Sequence, residues 1–159
     1  MKEVFVVFSR PQSFKLFSWL IRAYQGTTYS HSAIRFFDIE SGKFLIAEAG
    51  HGEVHLMTEK SWRKINKKVD ESQHQVTPED FKIMRDFILD NLQVKYSISQ
   101  NLGIILFDLF GVKLFLNKVE GFNCSELVAR ALPDVFKNYK GPIDYVKPSQ
   151  IHTLIFGKK

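Results

Sequence analysis

Apolar positions along this chain fall into short runs with two different periods. Val4-Phe5-Val6-Val7-Phe8 is an unbroken β-branched and aromatic run, which predicts a strand buried on both faces. After Ser9-Arg10-Pro11, the spacing of Phe14, Phe17, Leu20 and Ile21 predicts an amphipathic helix from about Gln12 to Tyr24, ended by Gly26. Thr27 to Phe37 and Lys43 to Ala49 return to strand composition, with turn residues between them, so the pair predicts an antiparallel hairpin. Gly50-His51-Gly52 reverses the chain into a third strand, Glu53 to Met57, and Trp62 to Val69 is a fourth strand candidate with poor alternation. Thr77-Pro78-Glu79-Asp80 is a helix start, with a cap, a proline at the first position and acids in the first turn. Phe81, Met84, Ile88 and Leu92 carry that helix's core face.

The alternation also sorts side chains by face. His31, Ala33, Arg35 and Phe37 share one face of their strand, and Ser32, Ile34 and Phe36 the other. On the next strand Glu48 falls in phase with Phe44 and Ile46. A carboxylate on such a face must reach solvent at the strand end or find a partner, because a buried unpaired charge is costly.

The second half is read less sharply. Val94 to Ser99 is extended or a turn. Leu102 to Leu116 is apolar but interrupted by Asp108, Gly111 and Lys113, too broken to span a bilayer. It predicts one or two apolar helices that serve as core or as an acyl-binding wall, with Leu106 and Phe110 as candidate pocket residues. Ile143 to Val146 and His152 to Phe156 are the last strand candidates.

Between them, Gly121-Phe122-Asn123-Cys124-Ser125-Glu126-Leu127-Val128 reads as a loop running into a helix stopped by Pro133. Asn123 is a good N-cap, and Glu126 three residues later suggests a capping box. Cys124, Leu127, Val128 and Ala131 follow helical spacing, so the sulfur begins the stripe that faces the core. A thiol there meets unpaired backbone N–H groups and the positive helix end, which favour thiolate and could also hold an oxyanion.

Composition narrows the chemistry further. Cys124 is the only cysteine, which excludes an intramolecular disulfide and any multi-cysteine metal site. Fifteen phenylalanines point to a bulky aromatic core or to an apolar surface in use. The net charge of +5 mildly favours transient contact with an anionic surface. There is no glycine-rich phosphate loop, and the basic cluster at Arg63-Lys64 and Lys67-Lys68 is read as a solvated face, so no specific nucleic-acid role is expected. No signal peptide and no membrane span is read, which implies a cytoplasmic protein as synthesised. One domain over 1–159 is expected.

A cysteine nucleophile needs an imidazole within hydrogen-bond reach and a third group to orient that ring. Of five histidines, His31 opens a strand and can project over the sheet rim. His51, His55 and His74 are expected to face solvent, and His152 opens a strand candidate. His51 and His55, four residues apart, would lie about 13 Å apart on a strand, so neither a metal nor a cofactor is expected. Glu48, on the neighbouring strand and otherwise hard to rationalise, is the candidate orienting group.

Three stretches together carry a resemblance: Thr28-Tyr29-Ser30-His31-Ser32-Ala33-Ile34, Ile46-Ala47-Glu48-Ala49, and Phe122-Asn123-Cys124-Ser125-Glu126-Leu127-Val128. In this order they resemble the circularly permuted papain-like cysteine hydrolases, relatives of bacterial cell-wall peptidases and of the lecithin:retinol acyltransferases. In that group the histidine hairpin precedes the cysteine helix. Val94-Lys95-Tyr96-Ser97 and Pro148-Ser149-Gln150-Ile151 are similar to further segments of the family. Where the family carries a Gly-Asp pair near the first strand, this chain has Glu3-Val4. The resemblance implies Cys124 as nucleophile, His31 as base, Glu48 as orienting residue and Tyr96 as a pocket residue. The expected fold is α+β, a small antiparallel sheet packed against helices. The expected activity is hydrolysis of an amide or ester through an acyl-enzyme, with a peptide, cell-wall or lipid-like substrate. Acyl transfer by the same route, or a binding or structural module on the same scaffold, are the alternatives.

Overall fold

In the computed structural model of the chain, residues 1–97, 103–105 and 121–157 are described. The fold is α+β. Five strands form one antiparallel sheet: β1 (Lys2–Pro11), β2 (His31–Asp38), β3 (Lys43–Gly50), β4 (Glu53–Thr58) and β5 (Asn66–Val76), in the order β4-β3-β2-β1-β5. The first strand, with its apolar Val4–Phe8 run, takes an inner place, paired on both sides, as that run demands.

One face carries the main core. Val4, Val6, Phe8, Ile34, Phe36 and Ala47 pack there against helices α3 (Pro78–Asp90), α4 (Cys124–Ala131) and α5 (Pro148–Phe156), which contribute Met84, Ile88, Val128, Ala131 and Ile151. The other face holds a smaller cluster of Val7, Ala33, Ile46 and Trp62. Beyond it, Arg35 lies over the rings of Phe5 and Phe44 and pairs with Glu71 and Glu59. That buried-to-polar gradient is why Glu48, in phase with Ile46, is fully enclosed while Phe44 is partly exposed.

Several boundaries differ from the sequence reading, each for a local reason. Helix α1 runs Leu16–Gln25, starting later than expected, and ends at Gly26 in the left-handed region at φ 63°. Trp62 does not open a strand. Thr58 caps a short helix, α2 (Glu59–Trp62), by accepting from the Ser61 N–H, and the indole is buried; β5 starts only at Asn66 and contains His74. The last strand candidates are a 3-10 turn (Ile143–Tyr145) and helix α5, where Pro148 stands at the first turn, so His152 is helical. The Thr77 cap and Pro78 start of α3 are as read, with the Thr77 hydroxyl accepting from Asp80 N–H. Leu106 and Phe110 lie outside the described residues. Among the described residues no helix is long and apolar enough to cross a membrane.

Candidate functional site

Helix α4 brings the cysteine to the sheet. Asn123 caps it, its Oδ1 accepting from the Glu126 N–H at 2.8 Å, while its amide donates to the Asp144 carbonyl at 3.1 Å. The Glu126 carboxylate pairs with Arg130 at 2.8 Å. Cys124 is the first residue of the helix and is buried, on a stripe with Leu127, Val128 and Ala131. A buried hydroxyl contact, Ser125 Oγ to Ser32 Oγ at 3.2 Å, ties the first turn of α4 to β2.

The approach to that helix is fixed by backbone. Tyr96 N–H donates to Gly52 O, Ser97 N–H to Phe122 O and Phe122 N–H to Lys95 O, so segment 93–97 stitches the β3–β4 turn to the residues before Cys124. Gly121 sits at φ +137°, and a Cβ there would meet the Lys95 carbonyl oxygen at 2.2 Å. Only glycine fits this crossing.

His31, the first residue of β2, presents Nε2 to Glu48 Oε2 at 2.7 Å. That leaves Nδ1 for the thiol. Gly50 makes the room: a Cβ there would stand 3.3 Å from the His31 Cε1. Glu48 is completely buried and accepts three hydrogen bonds, from His31, from the Trp62 indole at 2.7 Å and from His55 Nε2 at 3.0 Å. Burial pushes its carboxyl upward, but the His31 charge and these three donors outweigh burial and hold it well below the usual carboxylate range.

The same balance acts on the other two groups. Burial lowers the His31 imidazole, yet the charges of Glu48 and Cys124 and hydrogen bonds to both raise it well above its ordinary value. Burial raises the Cys124 thiol, while the His31 charge and hydrogen bond, the Ser32 backbone and the Ser125 hydroxyl draw it below its ordinary value. The direction for both is toward a thiolate–imidazolium pair.

His31 also lines a cleft of about 280 Å³, together with Phe17 and Ile21 of α1, Ser30, Gly50 and Tyr96. Cys124, His31 and Glu48 are thus brought together from helix α4 and strands β2 and β3, with Tyr96 on the cleft wall. His55, expected to face solvent from its strand, is largely buried instead. It stands directly across from Glu48, Gly50 pairing with Glu53 and Glu48 with His55. His51 is exposed, but the turn between them brings its ring to 6.0 Å from His55, not the strand spacing expected. His152 and Tyr29 stack at 5.0 Å, and His152 bonds Asp70 at 3.0 Å, which braces the residues before His31. His74 lies in β5, where burial lowers its imidazole.

Sequence reasoning missed His55 and Trp62. For His55 a signal existed, because a two-residue hairpin loop at His51-Gly52 fixes the register. Both loop residues have positive φ, 52° and 102°. For Trp62 the poor alternation signalled only that the segment was no ordinary strand.

No protein-family model matches the chain, and no curated protein does. Among solved structures, it is similar to one described as metalloprotein yiiX from Escherichia coli O157:H7 (DUF1105). The match has a TM-score of 0.51 and 14% identity, covering 95% of this chain and 90% of the other. At that identity the likeness concerns the fold alone.

Proposed function

We propose that this protein is a cysteine-dependent hydrolase or acyltransferase of amide or ester bonds, built on a permuted papain-like arrangement. The observation that carries the reading is the enclosed Glu48 holding His31 Nε2 at 2.7 Å, with the other ring nitrogen left to a buried thiol at a helix start. In this mechanism Cys124 Sγ, its proton already on His31, attacks the substrate carbonyl carbon. Apart from the Glu126 N–H, which Asn123 accepts, the N–H groups of the first turn of α4 have no intrahelical backbone acceptor and favour the developing oxyanion. His31 then gives its proton to the leaving nitrogen or oxygen, and the acyl group remains on sulfur. Water, or an acceptor hydroxyl or amine, loses a proton to His31 as it attacks the thioester, and the thiolate returns. Glu48 keeps the ring in register and stabilises its cationic form.

The surroundings favour an apolar or acyl-bearing substrate over a cell-wall peptide. Phe17 and Ile21 line the cleft, and the same helix turns Leu16, Trp19 and Leu20 outward, each more than two-fifths exposed. With a net charge of +5, that surface suits transient contact with an anionic lipid phase. The structural neighbour is described as a metalloprotein. Here no group of three or more His, Cys, Asp or Glu side chains among the described residues is placed to hold a metal ion, and His31, Glu48 and His55 already engage one another. These residues do not fit a metal centre.

Intact-mass analysis after incubation with activated acyl esters, phospholipids and short peptides tests the reading. An acyl-sized mass increase that is lost in Cys124→Ser is expected for at least one ester. A protein that gains no adduct from any of them, while remaining folded, would overturn it.

A further inference from the structure

His55 faces an acceptor at each ring nitrogen. Nε2 lies 3.0 Å from Glu48 Oε1, and Nδ1 lies 3.2 Å from the backbone carbonyl oxygen of Glu53. A carbonyl oxygen only accepts. Glu48, which accepts from the Trp62 indole and is held well below the usual carboxylate range, is ionised and only accepts as well. A neutral imidazole carries one N–H and satisfies one of the two; the imidazolium satisfies both.

We infer that His55 is a cation at neutral pH, the second counterion of Glu48, and a positioning residue that limits how strongly the carboxylate grips His31. The site then becomes a row of alternating charges: thiolate Cys124, imidazolium His31, carboxylate Glu48, imidazolium His55. The two cations and two anions cancel, which is what a largely desolvated cluster requires, with the His31 and His55 side chains only 14% and 17% exposed and Glu48 at 0%. With a neutral group at position 55 the same cluster carries one net negative charge.

Among the described residues, the groups that face His55 are few. Glu48 comes from β3, the Glu53 carbonyl from its own strand, the His31 ring from β2 beyond the shared carboxylate, and the His51 ring from the turn at 6.0 Å. The hydrogen bond to Glu48 raises the His55 imidazole; burial and the His31 charge oppose it, and the net direction is upward. A carboxylate shared between two cations holds each less tightly than it would hold one. Removing the charge at position 55 therefore lets His31 keep its proton to higher pH.

Long-range ¹H–¹⁵N spectra of the imidazoles, followed from pH 5 to 10, test this without requiring any substrate. In the native protein both His55 nitrogens should show protonated shifts at pH 7, with their titration above that pH. In a Cys124→Ser background, which removes the coupled thiol, His55→Gln should raise the His31 midpoint by about half a pH unit or more. His55→Lys, which keeps the cation, should leave that midpoint near its starting value. A bare nitrogen on His55 at pH 7 would overturn the charge assignment, a measurement that needs no variant to fold. A His31 midpoint that stays put in folded His55→Gln would overturn the positioning role. Absence of acyl adducts on Cys124 would bear on the proposed reaction and leave both NMR results unaffected.

Discussion

Glu48 is the residue on which the site's electrostatics converge. It shares a face with Ile46 and is closed off by the Trp62 indole, so its charge persists only because three N–H donors meet it. Glu48→Gln keeps the shape but removes the charge and brings an amide N–H toward groups that themselves donate. Turnover of any acylating substrate should fall by about 10- to 10⁴-fold; the upper end matches the handicap of the analogous change in the serine-protease triad. Stability should change its pH dependence too. The folded carboxyl sits below its ordinary value of 4.5, so its contribution is present above that pH and is lost as pH falls through the native value. Thermal melts between about pH 3 and 7 should therefore show a shallower acid-side decline in the glutamine variant than in the native protein. A variant with native turnover would remove Glu48 from the mechanism.

At the scale of elements, the site is the meeting of one helix start with one hairpin. Asn123 serves both the helix, through the Glu126 N–H, and the 3-10 segment, through the Asp144 carbonyl. Asn123→Ala should cost about 0.5–2 kcal/mol in denaturant unfolding, the ordinary range for a lost cap, and should slow Cys124 labelling by loosening the first turn. An unchanged labelling rate would mean that the cap serves stability alone. The elements legible in the sequence were those whose signals are local: the Val4–Phe8 run, Gly26 as a helix stop, the Thr77-Pro78 start and the Asn123 cap. Those misread depend on tertiary contacts. Trp62 lies in a four-residue helix, with its indole bonded to a carboxylate fourteen residues earlier, and propensity carries no trace of that. The Ile143–Phe156 segment has strand-like composition, but its helix docks Ile151 in the main core, with Pro148 at its start. His55 was recoverable, because counting outward from the His51-Gly52 loop pairs it with Glu48.

The whole molecule divides its labour between the two faces of one sheet. The helix-covered face supplies the core and docks α4. The smaller face encloses Glu48 and Trp62, and its rim, where β2 begins, sets His31 between the carboxylate and the thiol. The cleft beside His31 is lined in part by α1, the helix that also carries the exposed Leu16, Trp19 and Leu20. This architecture makes one property of the folded protein central: a thiol drawn below its ordinary value because the fold surrounds it with His31, the Ser32 backbone and a helix start. The direct measurement is the rate of Cys124 alkylation by iodoacetamide as a function of pH, in the native protein and in His31→Ala. The native thiol should react with a midpoint well below the ordinary thiol value of about 8.5, and His31→Ala should move that midpoint upward and slow labelling near pH 7. A native midpoint at or above about 8.5, unchanged in His31→Ala, would contradict the ion pair and with it the proposed nucleophile.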